Sequence, residues 1–169
     1  AGCEAAWQLA ERGISVQLYE MKKKRKTEAQ ALDTLGELVC SNSFRGRDKT
    51  QGVGLLKQEM SMLGSLFMEA AFATEVPAGG ALAVDRLKFS TYITKRVEGH
   101  PNIEVLYDEC LEINPLEPVI LASGPLTDGP LLESINKLVG EEYCYFYDGS
   151  APIVAEDSID YTKVFYASR

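Results

Sequence analysis

The chain has 169 residues, 46% of them apolar and 25% charged, with a net charge of −8, one histidine and four cysteines. That balance suits a globular domain with a real core, and its acidity argues against a general nucleic-acid coat. A single histidine, His100, leaves no basis for a zinc site or a serine–histidine hydrolase. No apolar run approaches the ~20 residues a membrane-spanning helix needs, so no membrane partner is expected. No secretory leader opens the chain. Cys3, Cys40, Cys110 and Cys144 have no paired spacing. Reduced thiols in a cytoplasmic protein follow as the expectation.

In chain order, "AGCEAAWQLAER" predicts a helix closed by Gly13 in a left-handed cap. "ISVQLYE" predicts a strand ending on Glu20. A helix followed by a strand that ends in an acid is the second half of a dinucleotide-binding βαβ unit, in which the acid hydrogen-bonds a ribose hydroxyl. Gly2 takes the place of the last glycine of the phosphate-binding turn, and the first strand and the first two glycines then belong upstream of residue 1. The run Lys22–Lys26, with Arg45, Arg47 and Lys49 in the next loop, is compatible with solvated loops or with a local phosphate contact.

The stretch "ELVCSNSFRG" sets Cys40 among hydroxyls and ahead of Arg45. A free cysteine is commonly a small buried hydrophobe, whereas nearby positive charge and hydrogen-bond donors favour the reactive thiolate; both readings stay open on composition. Further on, Val53, Leu56, Met60, Leu63 and Phe67 step by three and four, which predicts one helical face buried in the core over 53–71. "VPAGGALAVDR" predicts a glycine turn, a short strand and Asp85 as the cap of a helix carrying Phe89, Ile93 and Val97. "NIEVLYDECLEI" reads as one or two strands, and "PVILASG" as a buried strand ending in small residues. A helix over about 131–139 ends at Gly140, and "EEYCYFYDGSAPIV" alternates as another strand. The fold class is α/β with a parallel sheet.

Taken in order, "AGCEAAWQLAERG…LYEM", "ELVCSNSFRG", "VGLLKQEM", "VPAGGALAVDR", "SGPLT" and "YFYDGSAPIV…DSID" resemble successive blocks of the folate- and FAD-dependent tRNA (uracil-5-)-methyltransferases, the GidA-related TrmFO family. The resemblance covers the whole chain. A cousin group that modifies wobble uridines shares the opening helix but lacks "LVCSNS" followed by "VGLLK". The resemblance implies a glutathione-reductase-like, Rossmann-type FAD-binding domain with a smaller inserted domain, incomplete at both ends. Residues 1–169 would be part of that FAD domain, with 76–100 in an inserted or flanking subdomain. It further implies methylation of uridine C5 in the tRNA T-loop, with the one-carbon unit from methylenetetrahydrofolate and reduction through FAD and NAD(P)H. A paralogue acting on ribosomal or another structured RNA, and a non-catalytic FAD-binding paralogue or fragment, are the alternatives.

Residue by residue, the resemblance assigns Gly2 to the phosphate-binding turn and Glu20 to the adenosine ribose. It puts Cys110 where the backbone meets the adenine, and Ala122, Ser123 and Gly124 at the strand end flanking the cofactor. Ser41, Asn42 and Ser43 would line the flavin side. Cys40 matches the family's first functional cysteine, as nucleophile, base or flavin-side thiol.

Overall fold

The computed structural model describes residues 1–124, 126–140 and 156–165. The opening helix, α1 (Gly2–Ala10), buries Ala6, Trp7 and Ala10 on one face. Gly13 (φ 79°) then turns the chain through the left-handed region, where a residue lacking Cβ is least strained. β1 (Val16–Tyr19) follows, its half-buried Val16 and Leu18 alternating with exposed Gln17 and Tyr19. It pairs in parallel with β5 (Ile103–Leu106), Val16 opposite Ile103 and Tyr19 opposite Leu106. "NIEVLYDECLEI" thus yields a single strand.

A second, antiparallel sheet has β4 (Ala81–Val84) between β2 (Ser43–Gly46) and β3 (Glu75–Val76). The Pro77–Gly80 turn links β3 to β4, and Leu82 and Val84 are fully buried. Asp85 accepts a hydrogen bond from the backbone N–H of Lys88 (2.9 Å) and caps α4 (Arg86–Glu98), as the sequence predicts. Phe89, Ile93 and Val97 of α4 are buried. α4 packs on β5 and α1 as well as on α3 (Leu66–Ala73). One core therefore runs from Trp7 and Ile103 through Phe89 to Leu66 and Leu82. Phe44, Phe67 and Phe89 stack within it at centroid distances of 4.6–5.6 Å.

Two expectations are corrected here. The helical period over 53–71 is real, but it is split between α2 (Gly52–Met62) and α3. Gly64 (φ 71°) breaks the helix, and Ser65 caps the second one by accepting from the Met68 N–H (3.2 Å). With the axis redirected, Leu56 and Leu63 are 55% and 69% exposed rather than core. Val53, Leu56, Met60 and Phe67 instead line an open cleft of ≈ 280 Å³. The second correction is "PVILASG", which forms no strand and leaves Val119, Ile120 and Leu121 exposed. A branched run becomes a strand only against a hydrogen-bonding neighbour, and among the described residues β1 is paired with β5 alone.

The last helix, α5 (Gly129–Val139), carries Pro130 in its first turn and ends at Gly140 (φ 71°) as expected. Its buried Ser134 accepts a hydrogen bond from the Ile113 N–H (3.0 Å). The tyrosine-rich segment expected to be a strand, with Cys144, lies outside the described residues.

Candidate cofactor site

The site is built where α1 begins and β1 ends. A Cβ placed on Gly2 would lie 3.4 Å from the Ala122 Cβ and 3.7 Å from Leu18 Cδ1. These are ordinary contact distances, so the start of α1 rests directly on β1 and on the 118–124 segment. Ala122 therefore touches the helix start, and the 118–124 segment that carries it forms no strand. Gly124 has φ 86°, and the Thr127 hydroxyl lies 2.6 Å from Ser123 Oγ and 2.8 Å from the Gly124 carbonyl. That small hydroxyl knot ends the segment beside the helix N-terminus, whose N–H groups favour an anion.

Glu20 follows β1 and caps a single turn, Met21–Lys23, by accepting from the Lys22 N–H (3.1 Å). Lys22 is 4% exposed. Its ammonium donates to the Thr34 carbonyl and sits 3.7 Å from Glu20 and 3.6 Å from Glu37. The other oxygen of Glu37 accepts from the N–H groups of Ala31 (2.8 Å) and Leu32 (3.0 Å). Cys3 is close by, and burial pushes its thiol above the ordinary value, with Glu20 adding to the effect. A neutral packed thiol is the result.

The remaining cations of the basic run are all engaged. Lys23 lies over the Tyr107 ring (3.2 Å), Lys24 meets Asp108 (2.7 Å), and Lys26 meets Asp33 (2.7 Å). Arg25 bridges Glu109 (2.5 Å) and Asp128 (2.8 Å), tying the turn after β5 to the start of α5. Asp108 and Asp128 are held below the usual carboxylate range, chiefly by hydrogen bonds from Lys24 and Arg25. The run is therefore an internal clamp. Cys110 ends that clamped turn, its thiol donating to the Glu112 carbonyl (3.4 Å).

The cysteine loop lies on the other sheet. Cys40 is exposed, and its carbonyl accepts from Arg86 (3.1 Å) at the start of α4. Asn42 is locked to β4 by its side-chain bond to the Val84 carbonyl (2.9 Å) and by its own carbonyl accepting from the Val84 N–H (3.0 Å). Ser41 and Ser43 accept from the backbone two residues on (3.1 and 3.3 Å), and Arg45 adopts φ 63°. Ser43, Phe44 and Arg45 form one wall of the open cleft, and Lys57 forms part of the other. Burial, aided by Arg45, lowers the Lys57 ammonium below its ordinary value. No hydrogen bond or ion pair among the described residues joins this loop to Gly2, Glu20 or Ala122–Gly124.

Comparison with known proteins matches the family described as glucose inhibited division protein A along residues 1–169. The chain belongs to this GIDA family. Three similar proteins, from Citrifermentans bemidjiense, Geotalea uraniireducens and Geobacter sulfurreducens, are 61%, 59% and 56% identical over all 169 residues. Each is named methylenetetrahydrofolate--tRNA-(uracil-5-)-methyltransferase TrmFO. The chain spans 39% of the length of each of these relatives. The GIDA assignment agrees with the α/β, Rossmann-like reading of the parallel β1–β5 pair and the helix that precedes it.

Sequence reasoning missed the burial of Lys22 beside Glu37, and the cleft cation Lys57 that joins Arg45. A lysine inside a run of five cations carries no local sign that it is the buried one.

Proposed function

We propose that this chain is the FAD-binding part of an enzyme that methylates uridine C5 in the tRNA T-loop. The methylene would come from methylenetetrahydrofolate, with reduction through FAD and NAD(P)H in the cytoplasm. The observation that carries the reading is the packing of Gly2 on Ala122 and Leu18 with Glu20 at the end of β1. It fits the helix–strand–acid half of a dinucleotide site, and the names of relatives 56–61% identical along the chain supply the reaction. No helix among the described residues is long and apolar enough to cross a membrane.

FAD would supply the redox chemistry of the one-carbon transfer. This chain's residues would bind and orient it. The N-terminus of α1 would face the pyrophosphate, Glu20 would accept from the adenosine ribose, and the Cys110 backbone would meet the adenine. Ala122, Ser123 and Gly124 would flank the cofactor, while Ser41, Asn42 and Ser43 would border the flavin. Methylation at C5 needs a nucleophile at C6, because the ring carbon is otherwise unreactive, and a base for the C5 proton. The exposed Cys40 thiol is free to take one of these roles. Residues 76–100 would flank the FAD domain while sharing its core through α4.

The test compares Glu20→Ala with Glu11→Ala at full length. Losing a charge-assisted hydrogen bond should weaken FAD by about one to two decades. Glu11, which pairs with His100 (3.0 Å) at the far end of α1, should matter little to flavin. Equal affinities would remove the ribose assignment. Nucleoside analysis of tRNA and ribosomal RNA from a deletion strain then decides the substrate: loss of T-loop 5-methyluridine is expected, and loss confined to ribosomal RNA would overturn the tRNA reading.

A further inference from the structure

We propose that Lys22 is the positioning residue of the adenosine-ribose contact, acting through Glu20; the inference rests on the FAD reading above. A fully buried ammonium is costly unless paired, and this one is shared between two carboxylates. It lies 3.7 Å from Glu20 Oε2 and 3.6 Å from Glu37 Oε2, and it donates to the Thr34 carbonyl. At these separations the ammonium balances the Glu20 charge without taking up the lone pairs that a ribose hydroxyl needs. The Lys22 backbone N–H holds the other Glu20 oxygen at 3.1 Å. One residue thus contacts both oxygens of the acid, one through its backbone N–H and the other through its charge.

Glu37 anchors the ammonium in turn. Its side chain is 8% exposed, and its Oε1 is held by the N–H groups of Ala31 and Leu32. Among the described residues, Glu37 Oε2 and Thr34 Oγ1 are buried without a hydrogen-bond partner. Among the described residues Lys22 is the one charge paired with Glu37 Oε2, so the ammonium cannot leave without stranding a carboxylate. The arrangement also explains why one cation of the basic run is buried while its neighbours pair at the surface.

The experiment uses the full-length protein and titration calorimetry with FAD, with thermal unfolding measured in parallel. Lys22→Met alone leaves two facing carboxylates, which threatens the fold. The double variant Lys22→Met/Glu37→Gln removes one charge of each sign and keeps the volume. Its thermal stability should stay close to the parent, while FAD affinity falls about tenfold. In that background, adding Glu20→Gln should cost less than about threefold further, although Glu20→Gln alone costs about tenfold or more. Parent-like FAD affinity in the double variant, with Glu20→Gln alone still impaired, overturns the positioning role and leaves the ribose contact standing. If Glu20→Gln alone binds FAD normally, the ribose contact falls and Lys22 falls with it. Full additivity of the two losses would make Lys22 a structural lysine only.

Discussion

Cys40 and Glu20 occupy opposite kinds of environment, and their variants should differ accordingly. Cys40 is exposed and its side chain makes no hydrogen bond among the described residues, while its backbone carbonyl accepts from Arg86. Cys40→Ser should therefore leave thermal stability within about 0.5 kcal/mol and FAD binding unchanged. Serine stays protonated at neutral pH, where a thiolate would act, so methyl transfer should fall by about 10²-fold or more. Cys110→Ser serves as the control, because the backbone contact to adenine proposed for it would survive loss of the thiol. Near-normal methylation by Cys40→Ser would return "ELVCSNSFRG" to a cofactor-lining loop. Glycine positions allow an equally sharp contrast. A Cβ on Gly54 would come within 1.9 Å of the Asp48 carbonyl oxygen, whereas one on Gly52 would meet nothing within 4 Å. Gly54→Ala should cost about 1–3 kcal/mol by forcing the 46–51 loop off α2. Gly52→Ala should stay within about 0.5 kcal/mol of the parent. Urea unfolding of the two variants measures the difference, and equal midpoints would deny the close approach.

At the scale of elements, the basic run decides how α5 is attached. Arg25 joins Glu109 and Asp128, and Lys24 joins Asp108. Those aspartates sit below their ordinary range because the cations hydrogen-bond their ionised forms. Folding therefore favours the ionised carboxylate. The stabilisation is complete above about pH 4, the unfolded carboxylate value, and is lost as pH falls through the lower folded value. Backbone amide NMR shifts of α5 should hold steady from about pH 7 to about pH 4 and move below that, more so at high salt. Movement already near neutral pH would mean the clamp does not hold the helix. The same pairing bears on RNA. Cations already engaged within the chain release few counterions from a nucleic acid, so neutralising Lys24 and Arg25 should leave the salt slope of RNA binding unchanged. A slope flattened by about 0.7–0.9 per lost contact would return the run to a phosphate-binding role.

At the scale of the molecule, one core serves two sheets, and much apolar surface lies outside it. Leu55, Leu56, Met62 and Leu63 of the α2 region are exposed, as are Val119, Ile120 and Leu121. Exposed apolar residues in such numbers favour association with another surface. The isolated 169-residue chain should bind a hydrophobic dye and self-associate in light scattering, more than a chain of the relatives' full length. It should also hold FAD more weakly, since on the proposed reading Gly2 and Glu20 would supply half of the dinucleotide motif. Tight stoichiometric flavin on residues 1–169 would contradict the half-motif reading.

Local pattern sufficed wherever the physics is local. Gly13, Asp85 and Gly140 mark helix ends through caps and left-handed turns that span a few residues, and each was legible as such. The helix–strand–acid order ending at Glu20 was legible for the same reason, and so was the family, whose blocks are short contiguous strings. Three things needed the tertiary structure. The helical period over 53–71 could not disclose that Gly64 redirects the axis, because hydrophobic spacing is blind to a break that keeps its phase. "PVILASG" has strand composition, yet strandedness depends on a partner, and composition names none. The run Lys22–Lys26 offered five equivalent cations; only their placement against Glu20, Glu37, Asp108, Glu109 and Asp128, up to about a hundred residues away along the chain, made one of them a buried pivot and the rest a clamp.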